Sequence, residues 1–163
     1  KAAEESGLCE ELFHSFDERP KSFLYSIAMD PYSFTMHHVT PKGSIEQQVY
    51  LATYDTIKRL ADKGPCVLIG RCADYALRNN DNHFDIFVCA DDEYREKRGQ
   101  TVYEGKSLKE LNREENRRKQ YYEFYTGQRW GDPTNYDMMI NTSGISLETA
   151  ANTILAYIQF CRS

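Results

Sequence analysis

Three short apolar runs recur along this chain, and a stretch of helical character follows each of them. The runs are Cys66–Ile69, Phe84–Cys89 and Tyr136–Ile140, and none shows the regular apolar–polar alternation of a half-exposed strand. Runs of this kind are typical of strands buried on both faces, as in parallel sheets covered by helices. The order of elements therefore predicts an α/β fold, a three-layer arrangement of a parallel sheet with helices on both of its faces.

The helices are marked by their own start and stop signals. Ser44–Gln47 has the form of a capping box, an apolar stripe follows it, and Gly64-Pro65 ends the pattern. Asn79–Asp81 marks a turn before the second apolar run. Further helices are predicted around Cys9–Phe16, 72–78, 91–103 and 146–161.

The ends of the predicted strands carry small and polar residues. They are Gly70–Asp74, Ala90–Asp92 and Asn141–Gly144, and the first includes an arginine and an aspartate. Parallel strands place their carboxyl ends at one edge of the sheet, where ligands bind in folds of this class. A turn also needs small residues, so each segment alone says little, but the shared edge predicts a ligand site.

A cationic cluster runs directly into an aromatic segment in the second half of the chain. Arg113, Arg117, Arg118 and Lys119 precede Tyr121–Trp130, which holds five aromatic residues. On a helix, Arg118 and the tyrosines share one flank, a surface suited to a phosphate and a flat base. A second interpretation is an ordinary amphipathic helix whose tyrosines pack into the core and whose arginines pair with nearby acids.

Composition restricts the kinds of partner. The formal charge of −5 argues against a polyanion-binding protein, so we expect no nucleic acid polymer as a partner. The five cysteines form no Cys-x-x-Cys pair, which favours reduced thiols and a cytoplasmic location, and no metal site is predicted. No apolar stretch has the length of a membrane span and no signal peptide is evident, so no membrane partner is expected.

Three sequence blocks resemble the cytidylate kinase-like family, a branch of the P-loop nucleoside monophosphate kinases. The first block is Gly64–Asp74, the second joins Phe84–Val88 to Glu93–Arg98, and the third runs from Arg118 to Asp137. The third block, with its Tyr-Thr-Gly and Trp-Gly-Asp triplets, is the most specific. Together the blocks cover most of residues 64–137.

This resemblance implies a single kinase-like domain over residues 1–163, of the P-loop kinase type. ATP would donate its terminal phosphoryl group to a nucleoside monophosphate such as CMP, with Mg²⁺ bridging the transferring phosphates. The implied ligands are therefore small-molecule nucleotides. A helical lid at 91–125 would turn near Gly105 and exclude water from the reacting phosphates.

The resemblance also implies which residues bind the nucleotides. Arg71 and Asp74 resemble a strand-end pair near the acceptor nucleotide, and Glu115 resembles an acid that contacts the acceptor nucleoside. The loop beside the ATP base would contain Asn141, Thr142 and Ser143.

Three arginines occupy the positions implied for catalysis. Arg98 and Arg118 would bind the acceptor phosphate, and Arg117 would close over the reacting phosphates with the lid. Fixed guanidinium groups suit this task, because phosphoryl transfer spreads negative charge over several oxygens and needs little covalent help.

One motif of the family is absent from the sequence. No Gly-x-x-x-x-Gly-Lys-Ser/Thr loop occurs, although this fold binds the ATP phosphates through such a loop. In the family, the loop and its strand precede a segment like Ala2–Leu8, so we expect both to lie upstream of Lys1. We therefore expect weak or no ATP turnover from residues 1–163 alone.

A second class of function stays open. A nucleotide-binding or partner-binding domain of the same fold would keep the arginines and the aromatic residues without catalysis. Turnover by a protein extended upstream separates the two: ATP consumption with CMP or another monophosphate indicates a kinase, and binding without turnover indicates the non-catalytic domain.

Overall fold

The computed structural model describes residues 45–163, in which helices alternate with two short strands. The predicted helix around Cys9–Phe16 lies outside the described residues. In chain order the elements are α1 (Ile45–Asp62), α2 (Ala73–Leu77), β1 (Ile86–Cys89), α3 (Asp92–Thr101), α4 (Leu108–Thr126), a 3₁₀ turn (Pro133–Asn135), β2 (Met138–Asn141) and α5 (Leu147–Cys161). All the helices predicted after Ser44 are present.

The chain divides into two compact units. Among the described residues, one unit contains 45–79 together with Gln120–Gly127, and we call it the tyrosine unit. The other contains Asn80–Lys119 and Gln128–Ser163, and we call it the sheet unit. Helix α4 contributes its first part to the sheet unit and its last part to the tyrosine unit.

In the tyrosine unit, α1 and α2 pack around a small apolar core. Ile57 from α1 and Ala73 and Ala76 from α2 are buried together, and Tyr54, Leu68 and Leu77 pack against them. Residues three and four apart share a helix face, which is why one stripe of each helix supplies these contacts. The core therefore fixes α2, the helix that carries Asp74.

The segment predicted as the first strand, 66–69, is not a strand in this structure. Val67 and Ile69 are each 90% exposed, while Leu68 between them faces the core of the tyrosine unit. A strand needs a neighbouring backbone for its ladder of hydrogen bonds. Within residues 45–163, the sheet consists of β1 and β2 alone, so this segment has no strand partner there.

The sheet unit contains the parallel sheet that the sequence predicts. β1 and β2 run parallel, with Ile86 opposite Met138 and Cys89 opposite Asn141. Phe87 packs edge-on against Trp130 at 5.5 Å between ring centroids, and Tyr136 lies at 4.9 Å from the same ring.

Burial of both faces of the strands, which the lack of alternation predicted, is wrong for the described residues. Val88 is 57% exposed and Met139 is 41% exposed. A pair of strands is covered on both faces only if helices lie on each side, and here those two side chains remain in contact with solvent. The structure is a mixed α/β arrangement with a small parallel sheet, and the three-layer arrangement stays a prediction.

Helices α3 and α4 are joined by a tight connection in the sheet unit. Gly105 lies in it with φ of 80°, and Glu104 before it has φ of 58°. Gly99 of α3 faces the Lys106 carbonyl oxygen so closely that a Cβ at Gly99 would overlap it. The predicted turn near Gly105 is thus present.

None of the helices in residues 45–163 combines the length and the apolar character needed to cross a bilayer.

Candidate functional site

Arg71 and Asp74 lie where an unusual turn leads into α2. Gly70, Arg71 and Cys72 have φ of 66°, 60° and 56°, three successive residues in the left-handed region. Only glycine adopts that region freely, so the conformation costs free energy at Arg71 and Cys72. The turn is closed by a hydrogen bond of 3.1 Å from the Ala73 amide to the Gly70 carbonyl. Arg71 is exposed at this turn, and Asp74 is half-buried in the first turn of α2.

The Asp74 carboxylate is held by a buried tyrosine. The Tyr122 hydroxyl donates a hydrogen bond of 2.6 Å to Asp74 Oδ2. Tyr122 is only 3% exposed, so its hydroxyl lies in a poorly solvated environment where the bond has little competition from water. Sequence reasoning left Tyr122 open between an aromatic surface and the core, and it missed this contact because the two residues are 48 positions apart.

The other tyrosines of α4 pack inside the tyrosine unit. Tyr125 stacks on Tyr50 of α1, with 4.1 Å between centroids and an angle of 8° between the rings. Tyr121 is buried and lies at 4.7 Å from Tyr125. Burial raises the pKa of Tyr125 to about 12 and also raises the pKa of Tyr121. The second interpretation of these rings therefore describes the structure, and they do not form an exposed ledge for a base.

Cys72 is a buried thiol between the turn and this aromatic cluster. Burial, and then the charge of Asp74, raise the pKa of Cys72 to about 12. The thiol is therefore protonated and unreactive near neutral pH.

Arg98 lies on α3 between two tyrosine rings of the sheet unit. Its guanidinium carbon is 5.9 Å from the centroid of Tyr94 and 5.7 Å from that of Tyr103. Hydrogen bonding to Tyr103, and then to Tyr94, raises the pKa of Arg98, so both the rings and the hydroxyls of these tyrosines hold the guanidinium in place. Arg98 is thereby fixed without an ion pair to a neighbouring acid among the described residues.

Two further charged candidates of the sheet unit, Glu115 and Arg117, lie on α4 beside oppositely charged side chains. Arg95 of α3 donates to Glu115 Oε2 at 2.5 Å and to Asp92 Oδ1 at 3.0 Å. The interpretation of Arg95 as a paired surface residue thus describes the structure. Glu115, expected to contact the acceptor nucleoside, is held by this arginine.

Arg117 and Arg118 differ in their surroundings. Arg117 Nη2 is 3.9 Å from Glu114, which also accepts a hydrogen bond of 2.8 Å from Lys106. Hydrogen bonding to Lys106 lowers the pKa of Glu114. The Arg117 Nε atom is buried without a hydrogen-bond partner among the described residues. Arg118 is exposed on the same helix.

The segment Asn141–Ser143 links the ends of the two strands. Thr142 is buried, and both its amide and its hydroxyl donate to the Cys89 carbonyl, at 2.9 and 3.2 Å. Ser143 Oγ accepts a hydrogen bond of 2.7 Å from the Asp91 amide, and Asn141 Oδ1 accepts one from the Ser143 amide. The predicted meeting of two strand ends at one edge is confirmed for β1 and β2.

Asp91 has a structural role at the start of α3. Asp91 caps α3 by accepting a hydrogen bond from the Tyr94 amide, and this bond, with that of Ser143, lowers the pKa of Asp91. Within residues 45–163, no three His, Cys, Asp or Glu side chains are gathered as a metal ion would require.

The predicted site residues fall into two groups, one in each unit. A single nucleotide contacting both groups stays a prediction. The tyrosine unit holds Arg71 and Asp74, and the sheet unit holds Arg98, Glu115, Arg117, Arg118, Asn141, Thr142 and Ser143.

Comparison with known proteins gives one family and one structural neighbour of interest. The model of the cytidylate kinase-like family matches residues 1–144. A crystal structure of an uncharacterized protein from Eubacterium ventriosum is similar, with 31% sequence identity and a TM-score of 0.64. The match covers 70% of this chain and 74% of that one. No curated protein matches the sequence significantly.

Proposed function

Because this chain belongs to the cytidylate kinase-like family, we propose that it is a phosphotransferase that moves the terminal phosphoryl group of ATP to a nucleoside monophosphate such as CMP. The observation that carries the proposal is the extent of the family match. It spans residues 1–144 and therefore includes every candidate site residue, from Arg71 to Ser143.

The arginines of the sheet unit would stabilise the transferring phosphoryl group. Charge in this reaction develops on several oxygens, and guanidinium groups fixed before the reaction lower its free energy without reorganisation. Arg98 is already held by Tyr94 and Tyr103, which supports a role in binding the acceptor phosphate. Arg118, exposed on α4, would bind the same phosphate, and Arg117 would approach when the lid at 91–125 closes.

The acceptor nucleoside would be bound by Arg71, Asp74 and Glu115. Two of them are oriented by a hydrogen-bond partner, Asp74 by Tyr122 and Glu115 by Arg95. Preorientation of this kind raises affinity because less conformational entropy is lost when the ligand binds.

ATP would lie with its base beside Asn141, Thr142 and Ser143. Magnesium that takes part in phosphoryl transfer is held mainly by substrate phosphates and water, with few carboxylates from the protein. No group of three metal-ligating side chains lies together among the described residues, and we assign no residue to the metal. Mg²⁺ would accompany ATP.

A non-catalytic nucleotide-binding domain of the same fold is the second candidate. The observation in its favour is that Glu115 lies beside Arg95 of α3 and Arg117 beside Glu114 of α4, as in a structural network of charges. We also propose a cytoplasmic location, supported by four free cysteines among the described residues.

The test is an assay of the natural full-length protein with Mg²⁺, ATP and a panel of CMP, dCMP, UMP and AMP. We expect ADP formation that depends on one of these acceptors, measured by a coupled assay and confirmed by detection of the nucleoside diphosphate. Saturable binding of nucleotides without turnover would support the non-catalytic domain. Absence of both binding and turnover would contradict either function.

A further inference from the structure

The contact between Tyr122 and Asp74 joins two well-anchored parts of the tyrosine unit. Tyr122 is 3% exposed and projects from α4, so its ring is held by packing and its hydroxyl has a fixed position. Asp74 lies on α2, which is fixed by the buried residues Ala73 and Ala76. A polar group positioned by rigid elements on both sides keeps its direction better than one on a mobile loop.

The hydrogen bond also limits what Asp74 offers to a ligand. An ionised carboxylate only accepts hydrogen bonds, and the Tyr122 hydroxyl already donates to Oδ2. The remaining oxygen, Oδ1, then presents acceptor capacity in one direction. A ligand placed there is favoured if it brings an N–H or O–H donor and disfavoured if it brings a carbonyl oxygen.

We propose that Tyr122 is a positioning residue for substrate selection: it aims Asp74 at a hydrogen-bond donor of the acceptor nucleoside. The inference rests on the proposed function, in which Asp74 contacts the acceptor. Two donors share this chemistry, the exocyclic amino group of a base such as cytosine and the 2′-hydroxyl of ribose. Comparison of CMP with UMP tests the amino group, and comparison of CMP with dCMP tests the hydroxyl.

The experiment measures the binding of CMP, UMP, dCMP and ATP to the full-length protein by calorimetry. Tyr122→Phe removes the hydroxyl and keeps the ring. Tyr75→Phe is the matched control, because Tyr75 lies on α2 near Asp74 and stacks under Arg78 at 4.0 Å through its ring. We expect Tyr122→Phe to weaken CMP binding by about tenfold, to leave ATP binding unchanged, and to reduce the preference for the donor-bearing nucleotide.

Asp74→Asn provides a second measurement that does not depend on the stability of Tyr122→Phe. The amide oxygen still accepts from Tyr122, while its NH₂ group offers a donor to the ligand. If the amino group of the base is recognised, we expect this variant to prefer UMP to CMP, the reverse of the natural protein. If the ribose is recognised, we expect the difference between CMP and dCMP to shrink.

The outcomes separate the inference from the proposed function. Equal binding by Tyr122→Phe and Tyr75→Phe, or an equal loss for ATP and all acceptors, would overturn the positioning role while the proposed function stands. Unchanged selectivity in Asp74→Asn would overturn it as well. If the natural protein binds no nucleotide, the proposed function is wrong and the inference is wrong with it.

Discussion

The two units hold their polar groups in opposite ways. In the tyrosine unit, Asp74 is fixed by a buried hydroxyl, and the rings of Tyr50, Tyr121 and Tyr125 fill the space between helices. In the sheet unit, Arg95 pairs with Glu115 and Lys106 pairs with Glu114, and all four side chains are partly exposed. Charged side chains thus have a buried hydrogen-bond partner in one unit and partly solvated ionic partners in the other.

This difference predicts where substitutions change stability and where they change function. A buried ring or hydrogen bond contributes to folding, because its loss leaves a cavity or an unsatisfied group. An exposed ion pair contributes little, because water and salt already solvate both charges. Substitutions in the tyrosine unit should therefore affect stability more, and those in the sheet unit should affect phosphate binding more.

The largest expected effect is the protection of the Cys72 thiol. Its pKa is raised to about 12 by burial, whereas Cys66 is exposed. At pH 8.5 the native protein should alkylate at Cys66 about a hundredfold to a thousandfold faster than at Cys72, because only the thiolate reacts. Mass spectrometry after a timed iodoacetamide pulse measures both rates, with unfolded protein as the control in which they become similar.

The raised pKa of Cys72 also makes the free energy of unfolding depend on pH. The stabilisation is fully present below the pKa of the thiol in the unfolded chain, near 9.0, and is lost as pH rises toward about 12. Equal alkylation rates in the native state would show that the tyrosine unit does not bury this residue.

The second prediction concerns Arg98. Under the proposed function, replacement of Arg98 by alanine should lower kcat/KM of the full-length protein by about a hundredfold, because a guanidinium proposed to bind the phosphate is lost. Stability should fall by only about 1 kcal/mol, because Arg98 is partly buried and loses its contacts with Tyr94 and Tyr103. Lys97→Ala, an exposed neighbour on α3, is the control and should keep near-normal kinetics. A large fall in stability without a kinetic effect would contradict the assignment of Arg98 to the site.

The third prediction concerns the aromatic cluster. Tyr50→Ala removes a ring that stacks on Tyr125 and should destabilise the protein by about 2 kcal/mol, less than a fully buried aromatic residue would. Phe124→Ala serves as the control, because Phe124 is 58% exposed and its truncation leaves a smaller cavity. Urea denaturation measures both variants, and similar losses would remove the distinction drawn between the packed rings and the exposed one.

The smallest expected effect is the coupling between Arg95 and Glu115. A double-mutant cycle with alanine at each position should give a coupling free energy of about 0.5 kcal/mol, since Glu115 is 44% exposed. The coupling should weaken as ionic strength rises, because salt screens exposed charges. Thermal unfolding at low and high salt measures it. A coupling several times larger that persists in salt would mean that this pair behaves like the buried contacts of the tyrosine unit.

Local pattern predicted the elements well in both units. The helix from Ile45, the helices at 92–101 and 147–161, and the strands at 86–89 and 138–141 match periodicity, caps and apolar runs. These signals lie within a few residues of one another, so the sequence carries them directly. The strand predicted at 66–69 failed because a strand also needs a partner, which a local apolar run does not specify.

The sequence named the candidate site residues, but it predicted only part of the geometry that brings them together. The meeting of Ala90–Asp92 with Asn141–Ser143 follows from parallel pairing, and the structure confirms it through the bond from Asp91 to Ser143. The sequence left two interpretations open for the location of the α4 tyrosines, because a helical stripe has the same spacing whether it faces a core or a ligand.

The sequence by itself determined the family, the helices after Ser44 and the two strands of the sheet, because each depends on residue identity and short spacing. The tertiary structure alone decided that Tyr122 holds Asp74, that Tyr125 stacks on Tyr50, and that Val67 and Ile69 are exposed. These facts depend on contacts between residues far apart in the chain, and such contacts are set by the packing of whole elements rather than by any local pattern.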